Sequence, residues 1–367
     1  MLQGPLCEAA MIQAVHLKDG VRNLSPAYFA LVMATGIMAI AAHLNGLRSL
    51  ALVLFGTAML AYVVLWLLTL ARLYWFRGFL LADLTSHARG AGFLTMVAGT
   101  CLLGNQFILL AGNVLTALVL WCLGGMLWLC LLYAWLSACI IGEAKPSLEN
   151  GLNGTWLLMI VSTESLAILG TLLASYVASW QTTILFVSLG LFLLGGLLYI
   201  VIVVLVLYRL LFVPLSAESL SPLYWIDMGA EAIATLAGVT LIFHASDWDL
   251  LQELLPFLKG FTLLFWVMAT WWIPLLCLLG AWRHLYKKTP LRYTSQYWSV
   301  VFPLGMYTVC TFQLSKVFDV PLLVLIPRVF FYLALGAWIA ALTGLLYDLF
   351  GALRLKVGTK YLRSIIA

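Results

Sequence analysis

The sequence predicts an all-α integral membrane protein of ten transmembrane helices, and three observations predict it. Of the 367 residues, 64% are hydrophobic and only 9% charged, with fifteen tryptophans, a composition no soluble domain of this length tolerates. Apolar runs near the twenty residues needed to cross a bilayer core recur at 25–44, 48–70, 88–110, 113–141, 151–176, 181–209, 222–244, 257–281, 296–316 and 322–350. Lysine and arginine then divide unevenly between the loops. With the N-terminus inside, the inner segments carry fifteen, from Lys18 to Arg363, whereas the outer loops carry Arg48, Lys259 and Lys316. That asymmetry predicts a multi-pass protein of the plasma or inner membrane with both termini cytoplasmic.

The division expected is a cytoplasmic N-terminal segment over 1–24, a transmembrane domain over 25–350 and a basic cytoplasmic tail over 351–367. The opening residues lack a long apolar core and a small-residue cleavage site, so the first span is expected to direct insertion. The net charge of +5 follows from the topology and suits anionic lipid; it gives no reason to invoke nucleic acid. Seven cysteines show no CxxC spacing and five histidines are scattered, so neither a metal nor a cofactor is expected.

The odd and even spans differ. Even spans, such as ALVLFGTAMLAYVVLWLLTL (51–70), are almost wholly leucine, valine and aromatic, as expected of walls facing lipid. Odd spans carry glycine, threonine, serine and acids: SPAYFALVMATG (25–36), GFLTMVAGT (92–100), TWLLMIVSTES (155–165) and LYWIDMGAEAIATLAG (223–238). Such residues in a membrane helix pack against other helices or face water. The odd spans also repeat one another. An aromatic stands three or four residues before Met33, Met96, Met159 and Met228, and Trp298 stands four before Phe302. Their spacing, one helical hairpin each time, predicts five parallel hairpins in a quasi-five-fold arrangement around a central pore, polar helices inside and greasy ones outside.

The ninth span, WSVVFPLGMYT (298–308), departs most from a plain spanning helix. Pro303 removes a backbone donor and bends the helix, which lipid tolerates only where the helix is covered or lines a cavity. A large aromatic at the bend, Phe302, can close a pore. Three acids lie within odd spans: Glu164, roughly 18 Å along the fifth by the helical rise, and Asp227 and Glu231, which share a face of the seventh. A carboxylate at mid-membrane costs roughly 2.5–3.5 kcal/mol on insertion scales. An ionised one would also repel an anion, so these three are proton-coupling candidates; the ordinary alternative is a hydrogen bond to a neighbouring helix. The remaining pore-lining candidates are Met33, Thr35, Gly36, Met96, Gly99, Ser162, Thr163, Met228, Gly229 and Gly305, whose hydroxyls and freed backbone groups bind anions weakly. No arginine occurs mid-span in the odd helices, which counts against a tight bidentate dicarboxylate site.

These features resemble the tellurite-resistance/dicarboxylate transporter family, which includes tellurite-resistance membrane proteins, fungal malate permeases, fungal sulfite pumps and plant slow anion channels. SPAYFALVMATG is similar to the family's opening aromatic-x3-Met-x-x-Gly pattern, and WSVVFPLGMYT to the span in which a phenylalanine plugs the pore, a position on which Phe302 falls. The resemblance implies a ten-helix bundle, a homotrimer with one pore per protomer, and transport of a small anion, first of all a C4-dicarboxylate such as malate or succinate. A passive nitrate or chloride channel and a tellurite or sulfite exporter are the alternatives. The chain departs from the family at Gly229-Ala230-Glu231 and in the polar run Ser162-Thr163-Glu164-Ser165. A membrane-embedded enzyme using the three acids is disfavoured by the lack of a nucleophile–base pair, metal set or cofactor motif.

Overall fold

The computed structural model describes the backbone of residues 18–366 and side chains as far as Gly351. Residues 1–17 of the expected N-terminal segment and the side chains of the tail cations Arg354, Lys356, Lys360 and Arg363 lie outside what the structure describes. The principal helices are α1 (Ala30–Leu44), α2 (Arg48–Trp75), α3 (Leu94–Ala111), α4 (Val114–Ile141), α5 (Leu158–Ala174), α6 (Gln181–Phe212), α7 (Ile226–Phe243), α8 (Leu255–Ala281), α9 (Trp298–Leu314) and α10 (Leu322–Ile366). No strand occurs among the described residues.

Each odd helix is entered through a single 3-10 turn: Pro26–Phe29, Gly90–Phe93, Gly154–Leu157, Pro222–Trp225 and Ser295–Tyr297. The local sequence explains several of these starts. Pro26 and Pro222 occupy positions whose missing N–H no helix would use. Asn153 caps the third turn, its Oδ1 accepting from the Thr155 N–H at 2.9 Å.

The odd helices close into a ring. α1 packs on α3, α3 on α5, α5 on α7, α7 on α9, and α9 returns to α1. The 3-10 turns repeat the same closed order, so all five inner helices start on one face of the molecule. Each even helix lies outside the odd helix before it; α2, α4, α6 and α10 also lean on the next inner helix round the ring, and α8 reaches α9 through side chains. The burial pattern agrees: the apolar windows of α1, α3, α5 and α7 are 72–94% buried, those of the even helices only 17–44%.

Indole groups fasten the outer layer to the inner one. A buried tryptophan N–H needs an acceptor, and Trp121 of α4 finds the Leu166 carbonyl at 3.1 Å, Trp128 of α4 the Thr163 hydroxyl at 2.9 Å, Trp266 of α8 the Thr311 hydroxyl at 3.0 Å and Trp338 of α10 the Thr35 hydroxyl at 3.1 Å.

Nine helical segments among the described residues are long and apolar enough to cross a membrane, against the ten predicted. The exception is α9. Its 17 residues reach about 26 Å at the helical rise, and Ser299, Pro303, Thr308, Thr311 and Gln313 interrupt its apolar run. The physical reason is cover: α9 is flanked by α7, α1, α8 and α10, so protein rather than lipid surrounds it and hydropathy need not be high.

Candidate functional site

The ring of 3-10 turns surrounds a vestibule of about 430 Å³, lined by polar groups that include Ser25, Asn153, Thr155, Thr294 and Ser299. Among the described residues one formal charge lines it, that of Arg89. The walls are fixed by short local bonds. The Asn153 amide donates to the Ala88 carbonyl at 3.1 Å, and the Trp156 indole N–H lies 3.0 Å from the carbonyls of both His87 and Gly151. Gly154 has no room for a Cβ because the Leu223 backbone of the next turn crosses directly over it.

Deeper along the inner helices come the five residues of the sequence repeat. Met33, Met96, Met159, Met228 and Phe302 each lie five to seven residues beyond the first residue of their turn, at closely similar depth, and all five are buried. Phe302 is packed beside Gly229: a Cβ at 229 would stand 3.5 Å from the Phe302 ring and 2.8 Å from the Pro303 ring. Gly229 therefore lets α7 approach α9 at Phe302 and Pro303. Gly305 does the same one turn on, where a Cβ would stand 2.7 Å from Ile37 of α1.

The other candidates hold the ring together. Thr35 accepts from Trp338, the space beside Gly36 is filled by the Gln106 amide, and Gly99 faces Val32. Ser162 and Thr163 donate to the Met159 carbonyl at 3.0 and 2.7 Å, and Thr163 also accepts from Trp128 of the outer layer. These residues sit at contacts between helices.

The three acids are buried, and Glu231 and Glu164 are turned towards the outer layer. Glu231 accepts from the Tyr199 hydroxyl of α6, which in turn accepts from the Trp272 indole of α8 at 3.3 Å. Asp227, one turn earlier, has no hydrogen-bond partner on either oxygen among the described residues; neither has Glu164. Glu164 lies against Gly195 of α6, where any Cβ would collide with the carboxyl group. Gly195→Ala is accordingly expected to destabilise the protein by about 1–3 kcal/mol through overpacking. In thermal unfolding in detergent, Gly195→Ala combined with Glu164→Ala should lose less than the two single changes added together.

Sequence reasoning missed two buried arginines, Arg209 and Arg72, and their contacts. Arg209 donates to the Tyr224 hydroxyl and, at 3.0 Å, to the Glu149 carbonyl, tying the end of α6 to the start of α7. Arg72, at the end of α2, donates to Asp83 at 2.6 Å and to the Arg22 carbonyl at 3.1 Å, and Asp83 also faces Arg89 at 3.2 Å. Counted as topology signals, Arg72, Arg89 and Arg209 drew no attention. For Arg89, its place directly before Gly90, the first residue of the turn that enters α3, was the available clue.

A closed ring of parallel helices with a polar mouth is the geometry of a permeation path, and comparison with known proteins agrees. The family described as voltage-dependent anion channel matches residues 23–346. The chain belongs to this family. Two uncharacterized transporters of Methanocaldococcus jannaschii are similar along most of the chain: one is 25% identical over 84% of it and 88% of the relative, the other 22% identical over 89% and 95%. An uncharacterized membrane protein of Mycobacterium tuberculosis is 36% identical over 41% of this chain and 77% of its own length. Membership of the voltage-dependent anion channel family makes the chain a helical membrane protein of anion transport.

Proposed function

We propose that the chain carries small anions across the cell membrane along the axis of the inner ring, with Phe302 as the gate. In this reading α9 is the tenth crossing, the vestibule and both termini are cytoplasmic, and the protein is a homotrimer with one path per protomer. The observation that carries it is the convergence of five parallel helix starts on one vestibule whose only formal charge, among the described residues, is positive. Helix starts present unpaired N–H groups and the positive end of the peptide dipole, so five together favour an anion. Met33, Met96, Met159 and Met228 form the collar around Phe302; Thr35, Gly36, Gly99, Ser162, Thr163, Gly229 and Gly305 support it from behind. Glu164 and Glu231 face the outer layer, away from the axis, which favours passive flow of anions such as nitrate or chloride.

A second reading has an observation of its own. Glu231, hydrogen-bonded to Tyr199 and one turn from Asp227, is a buried acid that can exchange a proton, as can Glu164; with them the path would carry a C4-dicarboxylate together with a proton. Purified protein in liposomes separates the two when current and lumenal pH are recorded together under imposed gradients of nitrate, chloride and malate. Nitrate and chloride currents without a change in lumenal pH are expected. Malate entry that acidifies the lumen, saturates and weakens in Glu164→Gln or Glu231→Gln would establish the second reading instead.

A further inference from the structure

We propose that Arg89 is the anion-capture residue of the vestibule, binding a planar oxyanion, a carboxylate or nitrate, before it enters the ring. The inference rests on the transport reading above and adds a specificity residue to it.

The geometry is that of a charge built to be offered. Asp83, on the short helix Arg77–Leu84, stands between two arginines. Arg72 is the closer partner at 2.6 Å, and its side chain is 4% exposed; Arg89 stands at 3.2 Å through Nε, and its side chain is 53% exposed. Two guanidinium groups on one carboxylate leave a net positive charge. Burial assigns it: Arg72 is locked between Asp83 and the Arg22 carbonyl, so the uncompensated charge is the one in the cavity. Because Asp83 faces Nε, the two terminal amino groups of Arg89 remain for a ligand. No protein hydrogen bond engages them among the described residues.

A guanidinium held from behind in this way presents parallel N–H donors to a planar oxyanion, a match that a point charge cannot make. The cavity around it supplies neutral donors. The hydroxyl of Ser299 and the amide of Asn153 line the same space, so the anion would exchange part of its water shell for protein without meeting a carboxylate. Asp83 is turned into the Arg72 clamp, and among the described residues no acidic side chain lines the vestibule. Capture at the mouth followed by release along a path of weak donors is the sequence that conduction requires: binding favourable enough to enter and weak enough to leave.

The test has one arm that does not depend on flux. Phenylglyoxal modifies exposed arginines, and the full-length protein in detergent can be mapped by peptide mass spectrometry. Nitrate or succinate is expected to slow modification of Arg89 severalfold relative to chloride at equal ionic strength, while Arg48 and Arg292, both exposed, react at unchanged rates. Equal rates at Arg89 in all three salts would overturn the proposal. The second arm measures half-saturation of anion flux in oriented vesicles. Arg89→Gln should raise it about tenfold for nitrate offered from the vestibule side, the change expected for loss of one charge-assisted hydrogen bond. Arg89→Lys, which restores the charge without the fork, should recover the preference for anions over cations but little of the affinity. Flux with an unaltered half-saturation in Arg89→Gln would also overturn the proposal. Protection of Arg89 in a protein that carries no anion flux would instead uphold capture and remove the transport reading beneath it.

Discussion

Phe302→Ala is expected to raise anion conductance by about tenfold to a hundredfold, since each ~1.4 kcal/mol removed from a barrier is a factor of ten. Phe302 is 2% exposed, lies at the depth of the buried methionines and directly precedes Pro303 within α9. Its ring abuts Gly229 of α7, so it has a backbone surface to rest on and no bulky side chain to share the space. Truncation has a second effect of opposite character. Removing a buried phenylalanine side chain costs about 3–5 kcal/mol when the surroundings do not collapse, so the variant should conduct more while melting earlier. The pairing is informative: a cavity confined to the core would lower stability and leave conductance alone. Planar-bilayer recording beside a thermal melt reads both. Phe302→Leu should lie between the two in each measurement.

Arg72→Ala should give the largest loss of stability at the vestibule face, about 3 kcal/mol, the lower end of the cost of breaking a buried ion pair. The lower end applies because Arg89 remains beside Asp83 and compensates part of its charge. The loss arises less from the bond itself than from the carboxylate left behind, 12% exposed at its side chain. Arg72→Ala combined with Asp83→Asn should therefore melt above Arg72→Ala alone, because the stranded charge has gone. A double variant no more stable than the single one would assign the loss to packing of the arginine stem against its neighbours.

The layered architecture was largely legible in the sequence because lipid and protein make different demands on a helix. α2, α4, α6, α8 and α10 face hydrocarbon and read as unbroken apolar runs. The inner helices pack on one another through glycine, threonine and serine, and the recurring aromatic-to-methionine spacing locates their starts well enough to anticipate a ring. Hydropathy could not say which way each side chain of an inner helix points. A helix buried all round has no apolar stripe against which a polar face stands out. Glu164 and Glu231 therefore looked as though they lined the axis, when Gly195 and Tyr199 of α6 receive them from outside. The same blindness hid the glycines' role, since the contact partners of Gly229 and Gly305 are remote in sequence. For α9 the average hydropathy misleads in the other direction, because protein covers what lipid would reject.

Closure of the inner ring also constrains biogenesis. The contact between α1 and α9 joins helices remote in sequence, and Trp338 donates to Thr35 across 303 residues of sequence. Until α9 and α10 emerge, α1 has neither its neighbour nor its clasp, and the polar edge that it shows must be shielded by lipid headgroups, water or an insertion factor. Such distant pairing is slow to form. Half-made chains of this architecture, open like a horseshoe, should be the species that quality control encounters most often.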